Sequence, residues 1–337
     1  MKSKGSLTAI AAASSFLMMI SSLLIIAPAS AQTGKPIEIK AVTFYPESNE
    51  LCQGFWMLRD RVNERAKGEL VIKWVGGPEA IGPFQQGAAV KSGVVDMAWI
   101  PGSLYKAQVP AAEVLSFSVL TPQEERQNGA YDFMNGLHKA AGIFYLGRGY
   151  VNAGLSQFNI FTNKRVKGPK DLAGLKIGPG TILRPFQQEL GIVPVTMPHG
   201  DLYGALERGI VDGLIQPMVT LSGFSWHERV KYMIEPSLAQ SNITNIINLN
   251  TWNKLPKHLQ NLLMSVQSEI ERDVPAYDEK FKKQEWAKLK KAGMEVISFS
   301  PADSKWLIAT LYKAEWDDQM KKLPPDVGPK LRSLFSK

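Results

Sequence analysis

Ile37-Glu-Ile-Lys-Ala-Val42 alternates apolar and charged residues and runs straight into Thr43-Phe44-Tyr45-Pro46. The alternation has the two-residue period of a strand with one covered face. Downstream, Leu51, Phe55, Leu58 and Val62 recur at steps of three and four, with Ser48 or Asn49 able to cap a helix and Gly68 to end it. Leu70-Val-Ile-Lys-Trp-Val75 is a second strand, a short helix is expected around 85–91, and 94–100 is a third strand. Strand, helix, strand, helix, strand at this spacing predicts an α/β unit on a parallel sheet. Such sheets carry their ligand loops beyond the carboxyl ends of the strands, here 43–46, 77–84 and 99–102.

A similar grammar returns further along the chain. Strands are expected at 143–151 and 157–161, then a loop over 163–174 and a short strand, Leu175-Lys-Ile177. Gly178-Pro-Gly180-Thr181 turns into a helix over 184–190, and 193–197 is a strand. Tyr203-Gly-Ala-Leu206 is helical, and Asp212-Gly-Leu-Ile-Gln-Pro217 is a strand with its exit. From Pro256 the period changes: Leu259, Leu263, Val266, Ile270, Val274, Tyr277 and Phe281 recur at steps of three and four. This predicts one helix reaching about Lys291, kinked at Pro275. At ~1.5 Å per residue it would run roughly 50 Å, longer than one domain, so it should span two. A strand at 294–299 and a helix over 303–322 follow.

The N-terminus has its own logic. Lys2 and Lys4 precede a charge-free apolar stretch that ends in Pro28 and Ala29-Ser30-Ala31, the small-x-small pattern of a signal-peptidase site. The stretch approaches the roughly 20 residues that would span a bilayer as an uncleaved anchor, but its serines, alanines and Pro28 favour cleavage after Ala31 and a periplasmic product. Removal takes two of the eight net positive charges with it. Export argues against nucleic acid as the partner, whatever the charge. The single cysteine, Cys52, excludes a disulfide framework and a cysteine-clustered zinc site. The expected organisation is a signal peptide over 1–31, a first α/β domain over 32–153 plus 242–281, and a second over 154–241 plus 282–337.

Catalytic patterns are scarce. His138, His199, His227 and His258 form no His-Glu-x-x-His and no pair with ligand spacing, so no metal is expected. There is no Gly-x-Ser-x-Gly elbow, and Cys52 has no evident partner for nucleophilic work. Gly178-Pro-Gly180 opens like a dinucleotide loop, but Leu183 stands in the third glycine's place, so no nucleotide cofactor is expected. The same turn can be read as an anion site, with backbone N–H groups and the Thr181 hydroxyl beyond the strand and Arg184 in the first helical turn. It can equally be a tight connection with a solvated arginine. Phe44, Tyr45, Phe84, Trp99 and Tyr105 fall in or near the expected loops, as an aromatic-lined cleft for a small organic ligand would require. The lysines from Lys280 to Lys291 read as the wet face of the long helix.

Pro169-Lys-Asp-Leu-Ala-Gly-Leu-Lys-Ile177 and Tyr203-Gly-Ala-Leu-Glu-Arg-Gly-Ile-Val-Asp-Gly213 together resemble the DctP-like extracytoplasmic solute receptors of TRAP (tripartite ATP-independent periplasmic) transporters. Gly77 to Gly82, Lys91-Ser-Gly-Val-Val-Asp96 and Thr251-Trp-Asn-Lys-Leu-Pro256 agree, so the likeness covers nearly all of the chain after the leader. It implies a two-domain α/β fold of the periplasmic-binding-protein type, with the ligand cleft between domains and a long helix spanning both. It also implies capture of a small organic acid by domain closure, delivery to a small and a large membrane subunit, no catalytic residues and no cofactor.

The expected ligand site, from the loop reading together with the resemblance, takes Thr43, Phe44, Tyr45, Phe84, Trp99 and Pro101 from the first domain. From the second it takes Phe158, Gly178, Thr181, Arg184, His199, Tyr203 and Gln216. Typical members place a carboxylate-clamping arginine where this chain has Gly178, a second where it has Phe158, and an asparagine where it has Gln216. Two explanations stay open. Arg184 with the Gly178–Thr181 amides takes over the anion, or the ligand is less charged or more aromatic and is held by Phe158, Trp99, Tyr45 and His199. A receptor for an ATP-driven importer, an exported enzyme reusing the fold and a structural or sensor component are the competing classes.

Overall fold

A computed structural model describes residues 35–149, 157–240 and 242–336; the expected signal peptide lies outside them. The chain begins with β1 (Ile37–Thr43), β2 (Leu70–Gly76) and β3 (Met97–Ile100), which are mutually parallel with β1 in the middle. The helix Gln53–Arg65 between the first two buries Gly54, Phe55, Leu58 and Val62, the stripe its spacing predicts. β4 (Ile143–Gly149) closes the first half of the chain.

The chain then enters a second sheet with β5 (Phe158–Thr162), β6 (Lys176–Gly178), β7 (Val193–Pro194), β8 (Gly213–Pro217) and β9 (Tyr232–Glu235). It returns to the first sheet with β10 (Ile243–Asn248), which inserts antiparallel between β3 and β4. The sheet orders are β2-β1-β3-β10-β4 and, once β11 (Glu295–Ser298) has joined, β11-β9-β5-β8-β6-β7. Each is therefore mixed. The parallel unit expected around β1 is present, and the crossing strands β10 and β5 run against their neighbours in each sheet.

The crossings align the strand ends that matter. Thr43 pairs with Trp99, and Thr244 with Ile100, so the start of β10 lies beside the carboxyl ends of β1 and β3. Phe158 pairs with Pro217 and Gly178 with Leu214, so the start of β5 lies beside the ends of β6 and β8. Both sheets belong to one unit of the chain that starts at Pro36.

The helix Lys257–Lys291 runs without interruption through Pro275. Its first part buries Leu259, Leu263, Val266, Ile270 and Val274 against β4 and the helix Gln53–Arg65. Beyond Pro275 the buried positions are Asp278, Glu285 and Leu289, with Tyr277 and Phe281 only half-buried. The expected apolar stripe followed residue type there, whereas the helical phase from Val274 leads to Asp278. A last pair of helices, Pro301–Lys322 and Val327–Phe335, completes the molecule. Pro301–Lys322 packs on the helix Arg184–Glu189 and on the turn Pro110–Ser116, while Val327–Phe335 packs on the helix Ala130–Ala140.

Candidate functional site

A cavity lies where the strand ends of the two sheets confront each other. Phe44, Tyr45, Pro101, Ser103, Leu104, Glu113 and Ser116 line it from the first half, and Phe158, Thr181, Ile182, Leu183 and His199 from the second. Asn242 and Glu315 complete the wall from the start of the return crossing and from helix Pro301–Lys322. Its volume is about 20 Å³, the space of one or two waters.

The wall of the first half is held from behind. Thr43 Oγ1 donates to Tyr45 O at 2.8 Å and accepts from Trp74 Nε1 at 3.2 Å, which fixes the turn at the end of β1. Phe44 N donates to Trp99 O at 2.9 Å. The Phe44 and Tyr45 rings meet edge to face with centroids 4.6 Å apart. Both present edges to His199 across the cavity, at 5.3 and 5.9 Å, in the geometry that ring quadrupoles favour.

His199 lies 3.3 Å, through Nε2, from Gln216 Oε1. Burial lowers its pKa to about 4, so the imidazole is neutral at neutral pH and offers no positive charge. Among the described residues, no lysine or arginine lines the cavity. Asn242 stands out: its side-chain oxygen and nitrogen are both buried without a hydrogen-bond partner.

The sequence-derived candidates divide into three groups. Phe44, Tyr45, Pro101, Phe158, Thr181 and His199 come together in the wall. Thr43 and Gln216 stand behind it, each hydrogen-bonded to a wall residue. Phe84, Trp99, Gly178, Arg184 and Tyr203 are not in the wall. Phe84 is 47% exposed. Trp99 is buried beneath the site, its Nε1 donating to Leu51 O at 2.7 Å and its ring so close to Gly149 that a Cβ there would sit 2.6 Å from it. Tyr203 donates to Glu228 and accepts from Arg229.

The Gly178–Thr181 turn is not arranged as an anion cradle. Pro179 has no N–H, and Gly180 N donates to Val195 O at 2.9 Å, tying the turn to the chain beyond β7. A Cβ on Gly180 would lie 2.7 Å from Pro194 and from Val195 N, so only glycine permits this approach. Arg184 Nη1 donates to Gly180 O at 3.1 Å and Thr196 Oγ1 at 3.3 Å, on an exposed residue. Beside Gly178, Leu202 Cδ1 and Met197 Sδ occupy the space into which a side chain would grow.

Sequence reasoning missed Ser103, Leu104, Glu113, Ser116, Ile182, Leu183, Asn242 and Glu315. Only the acids left a readable trace. Glu315 and Gln319 continue the four-residue stripe of the buried Leu307 and Leu311, so polar residues occupy an apolar phase there. Glu113 stands alone in the apolar run Ala111-Ala112-Glu113-Val114-Leu115.

Two mixed sheets facing each other across a cleft, crossed twice by the chain and joined by a shared long helix, define a two-domain solute-binding protein. The chain belongs to the bacterial extracellular solute-binding protein family 7, DctP, which it matches over residues 41–322. The family is one of periplasmic transport receptors, and its fold is that of transport substrate-binding proteins. A curated relative, a monocarboxylate 2-oxoacid-binding periplasmic protein of a Nostoc species, is 24% identical across 69% of this chain and 66% of its own length; the match thus spans just under two thirds of that relative. Among solved structures, a TRAP periplasmic solute-binding protein from Desulfovibrio salexigens with bound orotic acid superposes with a TM-score of 0.78. It is 21% identical and aligns over 88% of this chain and 97% of its own. A Bordetella pertussis extracytoplasmic solute receptor binding pyroglutamic acid gives 0.76 at 20% identity, over 89% and 99%. No helix among the described residues is long and apolar enough to cross a membrane.

Proposed function

We propose that this chain is the periplasmic receptor of a TRAP-type secondary transporter. It captures a small organic acid between its two domains and delivers it to a small and a large membrane subunit, without catalysing a reaction. The observation that carries this reading is the unpartnered Asn242 amide, buried at a cavity between the two sheets, in a chain that matches the solute-binding family from residue 41 to 322. Ligand sites of small-molecule receptors usually measure ~300 Å³ or more. A cavity of about 20 Å³ can therefore admit such a ligand only if the domains part and close again. The domain boundaries proposed for this motion are 153/154 and 241/242, where residues 153, 154 and 241 lie outside the described ones, and 281 in the long helix. The leader is proposed to be removed after Ala31.

The ligands of related receptors supply the test panel: orotate, pyroglutamate, a 2-oxoacid, L-galactonate and, assigned from density, pantoate. At 100-fold its dissociation constant a true ligand stabilises the folded protein by ~2.7 kcal/mol, a shift of several degrees in a thermal melt. At least one of these acids is expected to give that shift at pH 7. Shifts from neutral sugars alone would overturn the organic-acid reading.

A further inference from the structure

An organic acid presents a negative charge, and among the described residues the cavity wall contains two carboxyl groups and no positive side chain. The two acids are not equivalent. Glu113 accepts from Lys106 Nζ at 2.6 Å through Oε1 and from Gln319 Nε2 at 3.1 Å through Oε2, so both oxygens are occupied and its charge is balanced. Glu315 accepts only the Phe186 amide, at 3.1 Å, through Oε1. Among the described residues it forms no ion pair. Its charged surroundings are Glu113 from the turn Pro110–Ser116, Lys106 beyond it and paired to Glu113, and Asp318 with its partner Lys322 on its own helix. Across the cavity are the neutral His199 and Tyr45. Burial, opposed by the Phe186 amide, and the Glu113 charge raise Glu315 to about 8.

A buried carboxyl whose nearest lysines are paired to other acids, next to a second carboxylate, is held in its neutral form, and a neutral carboxylic acid is a strong hydrogen-bond donor. The Asn242 nitrogen is a buried donor at this wall that has no acceptor among the described residues. Phe158 and Gly178 stand where the family resemblance leads one to expect arginines, and the donor pair offers what those positions lack.

Resting on the organic-acid reading above, we propose that Glu315 binds the ligand as a carboxylic acid. It donates its proton in a hydrogen bond to a ligand carboxylate oxygen, with the Asn242 amide as second donor. The proton stays on Glu315, and no bond is made or broken. The receptor is thereby selective for organic anions that lack an ammonium group, because a cationic amine would demand the ionised form of Glu315.

The experiment measures, by calorimetry, the affinity of the panel acid that binds best at pH 7 to wild type, Glu315→Gln and Glu315→Ala, at pH 7 and pH 9. Glutamine keeps both the acceptor for Phe186 N and a donor, and it does not titrate. Wild type is expected to weaken about tenfold from pH 7 to pH 9. Glu315→Gln should stay within about threefold of wild type at pH 7 and show no loss at pH 9, while Glu315→Ala weakens at both. A flat or rising wild-type profile, or a loss beyond tenfold in Glu315→Gln at pH 7, overturns the proposal and leaves the organic-acid reading standing. Failure of every acid to bind wild type at pH 7 overturns both.

Discussion

Asn242 holds an amide whose oxygen and nitrogen are both buried at the cavity without a partner, while Arg184 fastens a turn outside it. The two residues therefore answer opposite ways to truncation. An unsatisfied buried polar group costs about 1–3 kcal/mol, so Asn242→Ala should leave the melting temperature unchanged or raise it. The same substitution should weaken binding of a panel acid about tenfold or more. Arg184→Ala removes hydrogen bonds to Gly180 and Thr196 only, and should keep affinity within about threefold. Calorimetry and melting of both variants check the pair; loss of binding in Arg184→Ala with none in Asn242→Ala would return the anion to the arginine. The sequence makes Arg184 visible because it is charged and follows a glycine turn. Its direction depends on Thr196, twelve residues away, which no local pattern encodes.

At the scale of elements, most of the fold is legible because period and punctuation suffice. The helix Gln53–Arg65, the parallel trio around β1 and the helix Lys257–Lys291 follow from apolar spacing and glycine stops. The order of strands across the sheets does not, since the insertion of β10 between β3 and β4 depends on a chain reversal through another sheet. Site residues follow the same division. Phe44, Tyr45 and Pro101 were readable as loops beyond strand ends, whereas Glu315 reaches the cavity from a helix more than a hundred residues past the nearest such loop. The second half of the long helix adds a consequence for stability. Asp278 is buried with both carboxylate oxygens unpartnered, and burial, with the Glu279 and Glu50 charges, raises it to about 8. The folded chain thus keeps this proton up to about pH 8, while the unfolded chain releases it near pH 4. Stability from this group is complete below the unfolded value and is lost as pH rises through the folded one. Asp278→Asn removes the titration, so its stability relative to wild type should improve by roughly 5 kcal/mol between pH 4 and pH 8. Urea unfolding of both proteins at the two pH values measures it. An equal difference at both would mean that Asp278 is ionised in the folded chain.

For the whole molecule, the size of the cavity and the number of chain crossings set the kind of motion available. A space of about 20 Å³ walled by Phe44, Tyr45, Phe158 and His199 cannot exchange a ligand of ten or so heavy atoms through side-chain rotation alone. Densely packed aromatic walls resist that much local displacement. Three connections join the halves: the run from β4 to β5, the run from β9 to β10, and the helix Lys257–Lys291 leading to β11. On the proposed reading, element ends would absorb the backbone rotation of a hinge, while the packing of helix Pro301–Lys322 on both Arg184–Glu189 and Pro110–Ser116 would have to yield on one side. Ligand contacts from both halves, with Asn242 and Pro101 on one side and His199 and Thr181 on the other, would on that reading favour the closed arrangement over the open one. A ligand shifts that equilibrium only as far as its affinity differs between the two. The radius of gyration from small-angle scattering should accordingly fall when a binding acid is added at saturation. It should fall likewise in Asn242→Ala once the acid is raised to its weaker dissociation constant many times over, because truncation lowers affinity without touching the hinge. An unchanged radius in wild type at full occupancy would mean that the ligand enters without domain movement, and the cavity walls themselves would then have to be the mobile part.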